Sequence, residues 1–150
     1  MNENIFRVAY EEALAAFQAD EVPVGAVLFH TQTGEVVATA RNRTEENRDP
    51  LAHAELLCIQ AACRKLGVKR LTGYSLFVTL EPCTMCAGAI AWARLDHLYF
   101  GAYDPKTGGV CQGSCVFTHP QTHHKINITG GIHADECGSL MTRFFQERRK

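Results

Sequence analysis

Two short stretches constrain this chain more than any other feature: Asp49-Pro-Leu-Ala-His-Ala-Glu55 and Glu81-Pro-Cys-Thr-Met-Cys86. Both read as helix starts. Asp49 is a good N-cap with Pro50 at the first helical position, and Pro82 plays the same part ahead of Cys83. An imidazole at His53 and thiols at Cys83 and Cys86 then sit near the N-termini of two helices. A fold that uses them must bring those two ends together across the 30 residues that separate His53 from Cys83.

The residue types suit a metal. A helix N-terminus carries partial positive charge and favours the thiolate form of cysteine, which is the form that binds zinc. Cys83 and Cys86, spaced i and i+3, lie on one side of a helical turn. His53 and Glu55 are two apart and reach one place only at a helix's first turn, approached end-on. One His and two Cys make three ligands, the number that leaves a catalytic zinc one open position, whereas structural zinc is closed by four. In the catalytic reading zinc lowers the pKa of its water from about 15.7 towards about 7, and Glu55 takes that proton and hands it on. The alternative is a closed structural site with Cys111 or Cys115 as a further ligand.

Composition narrows the class. At 150 residues, 46% hydrophobic and 21% charged, residues 1–150 suit one globular domain with a real core. Apolar runs fall short of a membrane span, and Met1-Asn2-Glu3-Asn4 lacks the basic-then-apolar order of a signal peptide, so a cytoplasmic location without a membrane partner is expected. The seven cysteines are odd in number and two belong to the metal motif, which argues against a disulfide framework. Cys58, Cys63 and Cys137 read as small core residues. Cys111 and Cys115 read as loop or interface packing, with a second metal as the alternative. A net charge of −1 announces no global basic field, yet the last eight residues hold Arg143, Arg148, Arg149 and Lys150 against Glu147 alone.

Periodicity predicts the rest. Asn4 to Ala19 suits an amphipathic helix. Val24 to Phe29 and Val36 to Ala40 are short apolar runs joined by a turn at His30 to Gly34, a hairpin. Asp49 to Leu66 is predicted as a helix closed by Gly67, Ser75 to Leu80 as a buried strand, and Cys83 to Ala93 as the helix carrying the two thiols. His97 to Phe100 and Lys125 to Thr129 are further strands, with loops from Gly101 to His124. Asp135 to Arg148 is a terminal helix expected to bury Cys137, Leu140, Met141, Phe144 and Phe145. Strands alternating with helices predict a three-layer α/β/α domain with a mixed sheet of about five strands.

His-x-Glu followed by Pro-Cys-x-x-Cys is the known signature of zinc deaminases of nucleobases. Beyond it, nearly the whole chain resembles the bacterial tRNA-specific adenosine deaminases of the cytidine deaminase-like superfamily. The likeness runs through Glu21-Val22-Pro23-Val24-Gly25-Ala26, Asn42-Arg43, His53-Ala54-Glu55, the block from Thr79 to Gly88, Gly101-Ala-Tyr-Asp104-Pro-Lys106-Thr-Gly108, and Gly130 to Cys137 leading to Phe144-Phe145 and the basic end. The resemblance implies hydrolysis of adenosine to inosine at the wobble position of a tRNA anticodon, typically an arginine tRNA, by a homodimer with one zinc per subunit. It implies zinc ligation by His53, Cys83 and Cys86 and proton transfer by Glu55. It places the target base against Asn42 and the backbone of Ala54, and neighbouring nucleotides against Asp104 and Lys106. His123 stands where many members carry an Asn that contacts a nucleotide.

Blander roles stay open for several of these residues. Asn42 also suits a turn after a strand, Asp104-Pro105 a turn start, and Lys106 with Arg148, Arg149 and Lys150 a solvated surface. Guanine deaminases of the same superfamily share His-Ala-Glu and Pro-Cys-x-x-Cys, and Ala91-Trp92-Ala93-Arg94 is similar to them, so a guanine or nucleoside deaminase acting on a free base is the competing enzyme. A non-catalytic zinc-binding or RNA-binding module is the competing class.

Overall fold

The computed structural model describes residues 1–148. In chain order it forms α1 (Glu3–Gln18), β1 (Gly25–His30), β2 (Val36–Arg41), α2 (Ala54–Leu66), β3 (Tyr74–Leu80), α3 (Thr84–Trp92), β4 (His97–Ala102), β5 (Asn127–Thr129) and α4 (Ala134–Arg148), with a short 3-10 turn at Val116–Thr118. The sheet runs β2-β1-β3-β4-β5. β1 is antiparallel to β2 and β3, while β3, β4 and β5 run parallel. This is the mixed five-stranded α/β/α arrangement that the alternating pattern predicted.

The strand period of two divides the core. Ala26, Leu28, Leu76, Val78, Leu98 and Phe100 bury against Cys58, Ile59 and Ala62 of α2 and Ala87 and Ile90 of α3. Val27, Phe29, Phe77 and Ala102 bury on the other face against Ile5, Phe6 and Ala9 of α1 and Cys137 of α4. Both faces of the parallel half are therefore covered, as such sheets require. Gly25 lets α1 press onto β1: a Cβ there would lie 2.0 Å from the Ala9 carbonyl oxygen. No helix among the described residues is long and apolar enough to cross a membrane.

Three expectations shift. The helix predicted from Asp49 begins at Ala54 instead. Asp-Pro signals a turn as well as a helix start, and here the turn wins: Asp49 Oδ1 accepts from the Leu51 N–H at 2.9 Å and the Asp49 carbonyl from the Ala52 N–H at 3.1 Å. Phe145, expected in the core, is 43% exposed, because Cys137, Leu140 and Phe144 already form the buried stripe of α4 and its neighbour lies about 100° around the helix. The last strand shortens to Asn127–Thr129.

His133, at φ 49 before α4, ties the two helices of one layer together. Its Nδ1 lies 2.8 Å from Glu136 Oε1, its Nε2 3.1 Å from Glu3 Oε1, and its ring stacks on Phe6 with centroids 3.9 Å apart. Glu3 and then Glu136 raise its pKa. A raised histidine stabilises the fold fully below its unfolded pKa of about 6.5 and loses that contribution as pH climbs through the folded value. Wild type should therefore melt about 2 °C above His133→Gln at pH 6 and with no such margin at pH 9, the modest size reflecting solvent screening. A margin that does not change with pH would remove His133 from the linkage.

Candidate active site

The predicted ligands gather at the N-terminal ends of α2 and α3, with Cys86 in the first turn of α3. His53 and Cys83 are the residues immediately before the two helices. Both are extended, with φ −75°, ψ 149° and φ −71°, ψ 174°, and neither side chain caps its helix. The groups that an ordinary N-cap would turn onto its own backbone meet one another instead. His53 Nδ1 lies 3.7 Å from Cys83 Sγ and 3.5 Å from Cys86 Sγ, and the three donor atoms all lie within 4.8 Å of each other.

Those distances fit a tetrahedral ion. Bonds of about 2.3 Å to sulfur and about 2.05 Å to nitrogen give an S···N edge of about 3.6 Å. Among the described residues no other group of three His, Cys, Asp or Glu side chains converges in this way. Cys111 and Cys115 do not join it, nor does the Glu55 carboxylate. The group thus offers three donors, and among the described residues the closed four-ligand reading lacks its fourth side chain.

Cys86 and then His53 beside it hold the Cys83 thiol low, at about 4. Cys86 is pushed up in turn, by Cys83 and by burial, and His53 is raised by Cys83. A divalent cation held there would favour ionisation of both sulfurs. Glu55 is 4% exposed. Burial pushes its pKa up to about 7, with Cys83 adding to the rise, so near neutrality it can both accept and return a proton.

A cleft of about 620 Å³ holds His53, Glu55 and Cys83 and runs between Asn42 and Thr44, the loop after β4 with Asp104 and Lys106, and Met141 and Phe145 of α4. Ala54 also lines it. Asn42, 6% exposed just after β2, lines the cleft and serves as a turn residue: its Nδ2 donates to the Val22 carbonyl and its Oδ1 accepts from the Thr44 N–H, each at 3.4 Å. Asp104 starts a turn, accepting from the Lys106 and Thr107 N–H groups at 3.1 Å and from the Thr107 hydroxyl at 2.6 Å. Lys106 is exposed at the rim.

Other residues fall elsewhere. His123 lines a separate depression of about 120 Å³ beside Trp92 and Arg94. Arg148 pairs with Asp20 at 2.8 Å and lies 4.6 Å over the Phe144 ring; Arg149 and Lys150 lie outside the described residues. Tyr103, which the sequence assigned no role of its own, and Met141 and Phe145, expected in the core, also line the cleft. Glu81 and Glu21, 2% and 1% exposed, are buried acids whose position in otherwise apolar stretches was the available cue.

With this geometry in hand, comparison with known proteins is informative. Residues 1–149 match the family described as MafB19-like deaminase. The tRNA-specific adenosine deaminase of Agrobacterium fabrum is 46% identical over 97% of this chain and 95% of its own length. The chain belongs to the tRNA-specific adenosine deaminase family. Its relative of the same description from Bacillus subtilis is 42% identical over 99% of this deaminase and 91% of its own length. A solved structure from a study of A-to-I editing by tRNA:A34 deaminases at the wobble position superposes with a TM-score of 0.89, at 45% identity, covering 93% of this chain and 99% of that one. A guanine deaminase from Nitrosomonas europaea, 23% identical, gives a TM-score of 0.82 over 96% of this chain and 84% of its own; it shares the fold, and at that identity the likeness says nothing more.

Proposed function

We propose that this deaminase hydrolyses adenosine to inosine at the wobble position of a tRNA anticodon, with one zinc ion per subunit held by His53, Cys83 and Cys86. The observation that carries the reading is a buried carboxyl, Glu55, lying in the same cleft as a three-donor group while remaining outside it. When bound, zinc supplies the Lewis acidity that lowers the pKa of a coordinated water. Glu55 accepts a proton from the water that attacks C6 of adenine and passes it to ring N1. The carboxylate then takes the remaining hydroxyl proton at C6 and hands it to the amino group; the C6–N bond breaks, ammonia leaves, and C6 keeps the oxygen as a carbonyl. A base in an anticodon loop reaches such a cleft by leaving its stack, at a cost of about a few kcal/mol in a duplex and less where the loop is already splayed.

Asn42 and the backbone of Ala54 are the groups we assign to the target base, with Asp104 and Lys106 at neighbouring nucleotides. A contact from His123 would be made outside the cleft, on the Trp92 side. An arginine tRNA is the substrate the resemblance favours, and such an activity belongs in the cytoplasm. Trp92, 82% exposed on α3 beside that depression, supports a homodimer, since a bare indole of this size is rarely left to solvent.

Purified, zinc-loaded protein should form inosine in an anticodon stem-loop and release no ammonia from guanine or free adenosine. The reverse pattern would establish the free-base alternative. Lys106→Ala should also flatten the log–log salt dependence of stem-loop binding by about 0.7, the value for one neutralised phosphate contact on a single strand; an unaltered slope takes Lys106 off the contact surface.

A further inference from the structure

We propose that Glu81 is a positioning residue for substrate binding: its buried carboxylate holds the segment 103–112 in place as one wall of the cleft. Glu81 leaves the end of β3, two residues ahead of the first thiol. Its Oε1 accepts from the Asp104 N–H at 3.0 Å and from Gln112 Nε2 at 3.0 Å, and its Oε2 accepts from the Val110 N–H at 3.2 Å and the Cys111 N–H at 2.8 Å. All four donors come from the one loop that carries Asp104 and Lys106 into the cleft. No lysine, arginine or histidine pairs with this carboxylate among the described residues.

A buried carboxylate is tolerated only when its lone pairs are satisfied. Here the satisfying groups are almost all backbone N–H groups of an irregular segment, so this burial and this loop conformation require each other. Backbone packing agrees. A Cβ at Gly108 would lie 2.6 Å from the Glu81 carboxyl carbon and one at Gly109 2.6 Å from the Thr84 nitrogen, and the Gly109 N–H donates to the Pro82 carbonyl at 2.8 Å. The loop is laid directly across the segment that starts α3. Glu21 plays a parallel part on the other wall, accepting from the Glu45 and Glu46 N–H groups at 3.0 and 2.7 Å behind Thr44. Segments without regular structure open readily on their own, and a wall that opens weakens substrate binding before it alters the reacting groups.

The functional readout rests on the proposed tRNA activity; the structural readout does not. Glu81→Gln offers one oxygen and one NH₂ where four donors converge. Zinc-loaded Glu81→Gln should keep wild-type metal content and raise KM for an anticodon stem-loop about tenfold or more, with kcat within about threefold. Hydrogen exchange at the Asp104, Val110 and Cys111 amides should quicken about tenfold. Unchanged KM and unchanged exchange overturn the proposal, and so does a fall in kcat at constant KM, which would mean that Glu81 acts on the chemistry and not through the loop. Should Glu81→Gln fail to fold, Gln112→Leu removes one of the four donors from a half-buried position. It should raise KM about threefold and quicken exchange at the same amides, and no change in either overturns the proposal. A wild type inactive on the stem-loop defeats the tRNA reading, while exchange at those three amides still decides the role of Glu81.

Discussion

Replacing Glu55 with Gln is expected to lower kcat on an anticodon stem-loop by at least about 10²–10⁴-fold while leaving the fold and the bound metal intact. That range is what one general acid–base group contributes, and Glu55 is asked to move two protons in a turnover, so the loss should sit at or beyond the upper end. The prediction depends on three features of the site. Glu55 is outside the donor group, so an amide there removes no metal ligand. It is buried, and a neutral Gln of equal size fits where burial already pushes the acid up to about 7. Its carboxyl shares the cleft with His53 and Cys83, and the other acids lining that cleft, Glu81 and Asp104, are engaged by loop N–H groups. Metal analysis, far-UV circular dichroism and single-turnover inosine formation test it together. Retained turnover in a folded, metal-loaded variant would falsify the assignment of Glu55 to the proton transfers.

Replacing Cys86 with Ser should cost the metal and the activity together. Cys86 is fully buried in the first turn of α3, and its sulfur is 3.5 Å from His53 Nδ1. A serine hydroxyl occupies similar space but does not ionise near neutrality, which leaves a cation only two strong donors. Bound zinc should fall below about 0.1 per chain after dialysis, and turnover by about 10³-fold or more. Because an ion that binds only the folded state stabilises it by mass action, a chelator should lower the melting temperature of wild type and leave Cys86→Ser unmoved. Two results would sink the zinc centre: a metal-free wild type that still forms inosine, or X-ray absorption showing the ion closed by four side chains.

The chemistry was legible because it lives on residue types and short spacings. His53, Glu55, Cys83 and Cys86 could be named because His-x-Glu followed by Pro-Cys-x-x-Cys is a known deaminase signature, and the structure brings the donor atoms of His53, Cys83 and Cys86 to within 4.8 Å of one another. The alternating pattern likewise foretold strands with helices on both faces, since burial on a sheet follows a period of two and on a helix a period of 3.6. The start of α2 was misplaced because Asp49-Pro50 satisfies two local motifs equally well. Which one prevails depends on the partners the turn finds, among them the Thr44 carbonyl, which accepts from the Asp49 N–H at 3.0 Å.

Local sequence, then, determined the groups that the proposed chemistry would use: a nitrogen and two sulfurs that could hold an ion, and an acid assigned to the proton, each specified by its own side-chain chemistry. Only the tertiary structure decided where that chemistry is applied. The cleft is walled by three parts of the chain, Asn42 and Thr44, the loop with Tyr103, Asp104, Lys106 and Thr107, and Met141 and Phe145 of α4, around His53 and Cys83 at the starts of two helices. No periodicity connects them, because their proximity comes from strand order and from long-range bonds such as those that Glu81 and Glu21 accept from backbone N–H groups 23 to 30 residues away.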